Sequence, residues 1–289
     1  MVKVGIFVHL FVLDLFQECV EYIRNVSSVF EDVTVIFTLN DSEPYREFAR
    51  NMILPTLPGC HILYIENKGV DVYAFFEQVR YMRANAISAD FILKLHTKMT
   101  NIEGLFDNWR QDLIVPIVDR DNLPRIKQLM IESKNKNTSC IRIGHISAKK
   151  CMLPRMYDLE FKNNLLGILL LTRIFPNITE NYLDFTAGTM FWINREVVDE
   201  FMTDEFMVFM EKFFKSVKPK NNLHSDNVQT EYVFERLITG SFCADYTNIL
   251  IRESNYSNTQ DNFISGKPSE IMRKYFPNEI NNLQNMING

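Results

Sequence analysis

The sequence lacks the features that mark several common classes of protein. No predicted strand is followed by the G-x-G-x-x-G string of a dinucleotide-binding domain, and the P-loop string is also missing. Basic residues do not outnumber acidic ones, since the formal net charge is −5. A protein that binds nucleic acid needs a basic surface to neutralise phosphates, so the charge gives no electrostatic case for such a partner.

Cysteine is scarce, and long apolar runs are missing. The five cysteines are scattered without a C-x-x-C pair, so we expect neither a zinc site nor a disulfide framework. Free thiols are typical of a reducing compartment, which predicts a cytoplasmic location. No run is apolar and uncharged over the length of a membrane span. His9 and Asp14 interrupt the apolar N-terminal stretch and no small-residue cleavage site follows, so we expect no secretory signal.

The first hundred residues alternate between strand and helix patterns. Four segments rich in β-branched and aromatic residues predict buried strands, and amphipathic segments between them predict helices. This alternation predicts an α/β fold, with a Rossmann-type, mostly parallel sheet flanked by helices in a single domain. The predicted strands are Lys3–Phe11, Val33–Thr38, His61–Ile65 and a stretch that opens at Ala89 and ends in His96-Thr97-Lys98.

The rest of the chain is less regular, without an internal repeat or a long linker. We predict one domain over residues 1–254 and a C-terminal loop with a helical extension over residues 255–289. The predicted helices are 102–118, 123–132, 161–174, 196–217 and 227–239, the predicted strands are 140–147, 185–194 and 244–251, and residues 255–266 read as a polar loop.

Polar side chains follow each of the four predicted parallel strands. Because parallel strands end on one edge of a sheet, where open α/β sheets bind ligands, we expect these side chains to converge. The alternatives are helix caps for Asn67 and Asp71, and a solvent-exposed strand end for His96 and Lys98. The residues concerned are His9, Asn40, Asn67, Gly69, Asp71, His96 and Lys98.

This arrangement resembles a nucleotide-sugar glycosyltransferase of the GT-A type. In that fold the ends of the first strands hold the nucleoside, and the fourth strand normally ends in D-x-D, which binds a divalent cation on the donor diphosphate. Here His96-Thr97-Lys98 takes that place. The literal D-x-D, Asp119-Arg120-Asp121, comes one predicted helix later and is typical of a solvated turn.

A series of short strings makes the resemblance more specific. Two of them, A-G-T-M-F-W and L-H-T-K, are each uncommon. All follow one another in the order of the pattern of the rhamnan synthesis F family of glycosyltransferases, to which the chain is similar. The strings are N-K-G-V-D at Asn67–Asp71, L-K-L-H-T-K at Leu93–Lys98, W-R at Trp109-Arg110, A-G-T-M-F-W at Ala187–Trp192 and E-R at Glu235-Arg236.

The resemblance covers most of Lys3–Ile251. It departs at Tyr232, where the family usually has a histidine three residues before its Glu-Arg pair. It implies transfer of a sugar, L-rhamnose or a related deoxyhexose, from a UDP- or dTDP-linked donor to a glycan acceptor, with inversion at the anomeric carbon.

The same resemblance implies roles for residues at the strand ends. Lys98 would place positive charge on the leaving diphosphate, and His96 would bind a metal ion or donate a hydrogen bond to phosphate. Asp71 would be a metal ligand, or a partner for Lys98 or the ribose. Tightly held Mg²⁺ or Mn²⁺ is less expected without paired carboxylates, because these ions favour oxygen ligands. Gly188 and Thr189 would line the floor of the site.

The candidate general base lies before the predicted helix 227–239. Inverting enzymes of the GT-A type place an acidic residue at the start of such a helix, so the resemblance implies that Asp226 takes the acceptor proton. Glu231, one turn later, is the runner-up and Asp184 a weaker third candidate. The alternative for Asp226 is a helix cap. Trp192 either stacks on a sugar face or lies in the core.

The sequence therefore predicts a glycosyltransferase. The alternative is a non-catalytic protein that binds nucleotide sugar or glycan on the same fold. A redox enzyme is disfavoured by the missing glycine string. The Met- and Phe-rich run 201–214 is typical of a core; its alternative, a lipid-facing surface, would imply peripheral membrane contact, which we do not expect.

Overall fold

A computed structural model describes residues 1–97, 108–135, 141–153, 174–175, 185–216, 229–252, 263–266 and 274. Of residues 213–216, 229–232 and 263 it describes the backbone alone. The strands within these ranges are β1 Lys3–His9, β2 Asp32–Asn40, β3 His61–Ile65, β4 Phe91–His96, β5 Ile143–Ala148, β6 Met152–Leu153, β7 Phe185–Thr186, β8 Phe191–Asn194, β9 Thr247–Ile251 and β10 Phe263–Gly266.

Eight of these strands form one sheet, in the order β10-β9-β5-β8-β4-β1-β2-β3. The pairs β1–β2, β1–β4, β2–β3 and β5–β9 are parallel, whereas β8 runs antiparallel to β4 and β5, and β10 runs antiparallel to β9. β6 and β7 form a separate antiparallel pair. The predicted mixed α/β architecture, with a mostly parallel sheet flanked by helices, is confirmed.

Helices cover both faces of the sheet. They connect the parallel strands, as a parallel sheet requires, because two parallel neighbours cannot be joined by a tight turn. The helices are α1 Phe16–Val29, α2 Glu43–Phe48, α3 Leu54–Thr56, α4 Val70–Ala84, α5 Trp109–Val118, α6 Leu123–Lys134, α7 Arg195–Phe201, α8 Asp204–Ser216 and α9 Gln229–Thr239, and a π-helical turn, Ala49–Ile53, joins α2 to α3.

The central strand β4 is buried on both faces, so its residues pack alternately on two cores. Leu93 and Leu95 pack with the core that contains residues of α1, α5 and α6. Ile92 packs with the core that contains residues of α4, α7 and α8. Because side chains alternate along a strand, Lys94 and His96 lie on the α4 face.

The strand predicted over residues 185–194 is in fact two strands. β7 pairs with β6, β8 pairs with β4 and β5, and a turn separates them. Gly188 and Thr189 have φ values of +84° and +53° in this turn. Left-handed backbone cannot continue a strand, so the apolar run alone did not reveal the interruption.

Two other predicted segments also differ from the structure. The helix predicted over 196–217 is divided into α7 and α8, with Met202 and Thr203 between them. Residues 255–266 were predicted as loop, yet β10 lies there and pairs with β9. Apolar periodicity did not show either feature, because a helix break can fall within an apolar run and a short strand can be specified by its neighbour. The predicted helix 161–174 falls almost entirely outside the described residues.

Candidate functional site

Two histidines lie side by side at the carboxyl edge of the sheet. His9 ends β1, His96 ends β4, and the parallel register pairs them directly. Both are nearly buried. The Nε2 atom of His96 lies 2.7 Å from the carbonyl oxygen of Gly188. A carbonyl can only accept a hydrogen bond, so Nε2 of His96 carries a proton and donates it.

Lys94, two residues earlier on the same face of β4, has a buried ammonium group. Its Nζ donates to the carboxylate of Asp71, to the carbonyl oxygen of Thr189 at 2.9 Å and to Oγ1 of Thr189 at 3.0 Å. The rings of Phe75 and Phe191 have their centroids 5.9 Å from Nζ. A charge in such surroundings is stable only when it is paired and hydrogen-bonded, as this one is.

Asp71 reaches this ammonium from the first turn of α4. The helix begins after Gly69, whose φ of +61° provides the tight turn expected there. The Asp71 carboxylate accepts from Lys94 and from the hydroxyl of Thr189. The N-cap residue, Gly69, has no side chain that could cap the helix. In the structure Asp71 is a partner of Lys94.

The four residues Ala187–Met190, which we call the 188–189 turn, are held from several sides. The Gly188 nitrogen donates to Oε1 of Glu235 at 2.6 Å, and its carbonyl accepts from His96. A Cβ at Gly188 would lie 2.5 Å from Leu113 and 3.3 Å from the ring of Trp109. Only glycine fits this position, because both the backbone conformation and the space exclude a side chain.

The backbone is strained at Val70, which precedes Asp71, and at Thr189, whose hydroxyl donates to Asp71. Val70 has a φ of +50° and Thr189 a φ of +53°, which are unusual for β-branched residues. Such strain persists only where the surrounding structure enforces it, and it is concentrated at functional sites. The two strained residues are linked through Asp71, which follows Val70 and accepts from Thr189.

We call Asp71, Lys94, His96 and Thr189 the charged cluster. Burial by itself raises the pKa of Asp71, but attraction to His96 and Lys94 and the hydrogen bonds from Lys94 and Thr189 outweigh it and hold that pKa well below its usual range. Asp71 is therefore an anion at neutral pH. The charged cluster combines a fixed anion with a fixed cation at the edge of the sheet.

His9 lies beside the charged cluster but is uncharged. Burial lowers the pKa of His9 to about 4, although the negative charge of Asp71 acts in the opposite direction. Its Nδ1 lies 3.1 Å from Oγ1 of Thr38, and its ring stacks on Phe11 at 6.4 Å between centroids. His9 at neutral pH can donate or accept a hydrogen bond from a ligand, but it adds no positive charge.

A second buried group of polar side chains includes Thr186 of β7. Its members are uncharged and fully buried: His145, Ser147, Thr186, Thr239 and Asn248, which we call the neutral cluster. The Thr186 hydroxyl donates to Ser147 at 2.9 Å and lies 3.4 Å from Nε2 of His145. Burial lowers the pKa of His145 to about 4. The neutral cluster ties β5, β7, β9 and α9 together.

Several predicted site residues lie outside the charged cluster. Asn40 ends β2, two strands from β4, and Asn67 lies in the loop before α4. Trp192 is fully buried, packs on Phe30 and donates from Nε1 to the carbonyl of Ile117. Trp192 follows Phe191 on β8 and so points to the opposite face, which makes the prediction of sugar stacking wrong and its core alternative correct.

The remaining candidates lie outside what the structure describes. Lys98 and Asp226 fall outside the described residues, as does Asp184. Glu231 is in α9, but its side chain is not described. The assignment of Lys98 to the diphosphate and of Asp226 or Glu231 to proton removal thus remains a prediction.

The two residues predicted as metal ligands do not form a free donor pair. Oδ2 of Asp71 lies 4.0 Å from Nε2 of His96, and both atoms are engaged, Oδ2 by Lys94 and Thr189 and Nε2 by Gly188. Within the described ranges, no group of three or more His, Cys, Asp and Glu side chains is arranged to hold a metal ion. With Lys94 in place, the oxygen atoms at Asp71 are engaged by an ammonium group and leave no free Asp71–His96 pair for a divalent cation.

Sequence reasoning assigned no role to three residues that define the site. They are Lys94, which pairs with Asp71, Glu235, which accepts from Gly188, and Trp109, which closes the space around Gly188. For Lys94 a signal existed, because a lysine within a strand that is otherwise apolar on both faces requires a buried partner.

Each string of the resemblance contains a residue that lies in the 188–189 turn or in its immediate surroundings. Asn67–Asp71 supplies Asp71, Leu93–Lys98 supplies Lys94 and His96, Trp109-Arg110 supplies Trp109, and Glu235-Arg236 supplies Glu235. Fold and site together define a mixed α/β protein whose polar site lies at the carboxyl edge of its parallel strands.

Comparison with protein families names the group. The model of the family described as Rhamnan synthesis protein F matches residues 1–229, and the chain belongs to this family. The family is named for the synthesis of a polysaccharide, a role compatible with glycosyl transfer. A comparison with curated proteins finds no match. Among the described residues, none of the helices is both long enough and apolar enough to pass through a lipid bilayer.

Proposed function

We propose that this protein is a glycosyltransferase. In this proposal it transfers L-rhamnose or a related deoxyhexose from a UDP- or dTDP-linked donor to a glycan acceptor, with inversion at the anomeric carbon. Membership of the rhamnan synthesis family supports the proposal, because a rhamnan is built by joining sugar units. The α/β architecture supports it too, since open sheets of this kind bind ligands at the carboxyl edge of their strands.

One observation carries the proposal: residues from five separate segments meet at the 188–189 turn. They bring together a buried anion, a buried cation, His96 and strained backbone at the edge where a ligand would bind, and His9 of β1 is paired with His96 there. Buried charges cost free energy, and strained backbone costs about 1–3 kcal/mol for each residue. A fold that needed only stability would not concentrate both costs in one place.

The proposed reaction needs three things from the chain. The bond between the anomeric carbon and the diphosphate oxygen breaks, and the diphosphate leaves with the electron pair. The acceptor hydroxyl forms the new bond to the anomeric carbon and gives its proton to a carboxylate. In the proposal Asp226 takes that proton, with Glu231 as the alternative, and Lys98 faces the departing diphosphate.

The first turn of α4 suits the diphosphate in this scheme. Free backbone N–H groups and the helix dipole favour negative charge at a helix N-terminus, and Gly69 leaves the backbone open to close approach. Neutral His9 supplies hydrogen bonds at the same edge. These features support a donor that carries phosphate.

Ligand binding is tested by thermal unfolding with a panel of nucleotide sugars. A ligand that binds the folded chain alone raises the unfolding temperature, so UDP- or dTDP-sugars at millimolar concentration should raise it, whereas a dinucleotide such as NAD should not. If none of the nucleotides or nucleotide sugars changes the unfolding temperature, the donor site is wrongly assigned.

Turnover is tested by release of the nucleoside diphosphate. Asp226→Asn should abolish transfer and donor hydrolysis while the unfolding temperature still rises with donor, because an amide cannot accept the proton. Asp121→Asn, in the exposed turn between α5 and α6, is the matched control and should keep its activity. Full activity in Asp226→Asn would remove this residue as the base and leave Glu231 to be tested in the same way.

One observation favours the non-catalytic alternative. The fourth strand ends in His96-Thr97-Lys98 and not in D-x-D, which is the change expected where a relative has lost its activity. A chain that binds a nucleotide sugar but neither hydrolyses nor transfers it with any acceptor would be the binding protein of the alternative proposal.

A further inference from the structure

The ammonium group of Lys94 is surrounded by oxygen atoms. An ammonium has three N–H donors, and here three acceptors receive them: a carboxylate oxygen of Asp71, and the carbonyl and hydroxyl oxygens of Thr189. The side chain is 2% exposed, so water contributes little to its solvation. The protein therefore solvates this cation itself.

These oxygen atoms are of the kind that bind a hard metal ion. Carboxylate, carbonyl and hydroxyl oxygens are typical ligands of Mg²⁺ and Ca²⁺, at about 2.0–2.6 Å from the ion. The Thr189 oxygens instead lie 2.9 and 3.0 Å from Nζ, which are hydrogen-bond distances. The cation that these oxygen atoms surround is thus the ammonium group of Lys94, which is part of the chain.

Among the described residues, the Lys94 ammonium lies against the ionised carboxylate of Asp71 and neutralises it. A divalent cation beside them would therefore face an anion that is already paired. Removal of the lysine side chain would leave the oxygen set, the nearby ring of His96 and a space in which a small cation fits.

We propose that Lys94 is a built-in cation of this site: its ammonium takes, between Asp71 and Thr189, the position that a divalent ion would otherwise fill, and so positions Asp71 and the 188–189 turn. This inference shares its location with the proposed function. Its test measures cation binding without any nucleotide, so that it and the proposed function fail separately.

The first test compares thermal unfolding of three proteins with and without 1 mM Mn²⁺. The wild type should show no change, whereas Lys94→Ala should gain about 3 °C or more, because the vacated oxygen set binds the ion. Lys94→Ala combined with Asp71→Asn is the matched control and should lose this gain. Propylammonium, which restores the missing group, should also raise the unfolding temperature of Lys94→Ala alone.

Absence of any response to Mn²⁺ and propylammonium in folded Lys94→Ala would overturn the inference, as would an equal gain in the double variant. A lysine with a purely structural role would lower stability without creating a cation site. The response to added cations therefore separates positioning by charge from simple packing.

The second test does not depend on the folding of any Lys94 variant. The chain has five histidines, and the ring signals of His96 are assigned by comparison with His96→Gln. Bound Mn²⁺ broadens the signals of nearby nuclei. In the wild type, equimolar Mn²⁺ should leave the His96 signals sharp, because Lys94 holds the position beside Asp71. Selective broadening of His96 in the wild type would overturn the inference.

Discussion

Two buried polar clusters lie close together along the chain, since Thr186 of one and Thr189 of the other are only three residues apart. The neutral cluster consists of uncharged side chains that are 0% exposed. The charged cluster contains an anion and a cation, keeps 2–7% exposure and includes left-handed backbone at Thr189. The two clusters have similar residue types, since both contain hydroxyl groups and a histidine. They differ in the free energy that burial of their groups costs.

The difference separates a structural network from a candidate site. Uncharged groups that are hydrogen-bonded can be buried at small cost, and the neutral cluster uses them to join strands to a helix. Buried ions are expensive, and replacing such a pair by apolar residues is often neutral or stabilising. The charged cluster therefore needs a reason other than stability, which the proposed function provides.

The largest expected effect comes from breaking the ion pair. Asp71→Asn leaves the Lys94 ammonium buried without its counterion, and we expect a loss of about 3–5 kcal/mol in the free energy of unfolding. Ser147→Ala, the matched change in the neutral cluster, should cost about 1 kcal/mol, because it removes a hydrogen bond between uncharged groups. Denaturant titration measures both values. Equal losses in the two variants would erase the distinction between the clusters.

The second effect concerns the fit of the 188–189 turn. Gly188→Ala should cost about 1–2 kcal/mol for the left-handed backbone and about 1–3 kcal/mol more for the collision with Leu113. Gly59→Ala is the matched control, since Gly59 has a φ of +87° with nothing within 4 Å of an added Cβ. It should show the backbone cost alone. If both substitutions lower the free energy of unfolding equally, Leu113 and Trp109 do not restrict the space at Gly188.

The third effect is the pH dependence of the free energy of unfolding, to which one histidine in the neutral cluster and one beside the charged cluster contribute. The pKa of His145 in the neutral cluster and of His9 beside the charged cluster is lowered to about 4, so the unfolded chain takes up protons first as pH falls. The free energy of unfolding should therefore fall between pH 7 and pH 5, by about 2 kcal/mol for each histidine.

Each substitution, His145→Gln or His9→Gln, should remove about half of this pH dependence, as measured by denaturant titration at each pH. Asp71 acts in a different window. Its pKa is lowered, so its stabilising contribution is present above the ordinary carboxyl pKa of about 4 and is lost only below it. An unchanged slope in both histidine variants would contradict the neutral, buried state of these rings.

The smallest effect on stability is expected at Val70. Its side chain is 41% exposed, and its φ is +50°. Val70→Gly relieves the backbone strain but frees the unfolded chain, so the free energy of unfolding should change by about 1 kcal/mol or less. Val208→Gly, at an exposed position within α8, removes a similar side chain from ordinary helical backbone and should be destabilising by a few tenths of a kcal/mol.

Val70→Gly is informative because function and stability should diverge. If the strain holds α4 in place for a ligand, this variant should bind nucleotide sugars more weakly than wild type, whereas Val208→Gly should not. Unchanged binding in both variants would mean that the strained backbone at Val70 has no part in ligand recognition.

The sequence by itself determined the order of strands and helices in the first hundred residues, the position of the carboxyl edge and the strings that identify the family. These features are local: alternation, periodicity and short strings can be read along one segment at a time. It also predicted that His9, Asp71 and His96 lie at this edge, because parallel strands end together.

Only the tertiary structure decided which side chains meet there. It paired Asp71 with Lys94, placed Trp192 in the core and closed the 188–189 turn with Leu113, Trp109 and Glu235. Such contacts join residues far apart in the chain, since Asp71 and Thr189 for example are 118 positions apart, and they depend on the face to which each side chain points. A local pattern does not contain that information, because one residue of register decides between the two faces of a strand.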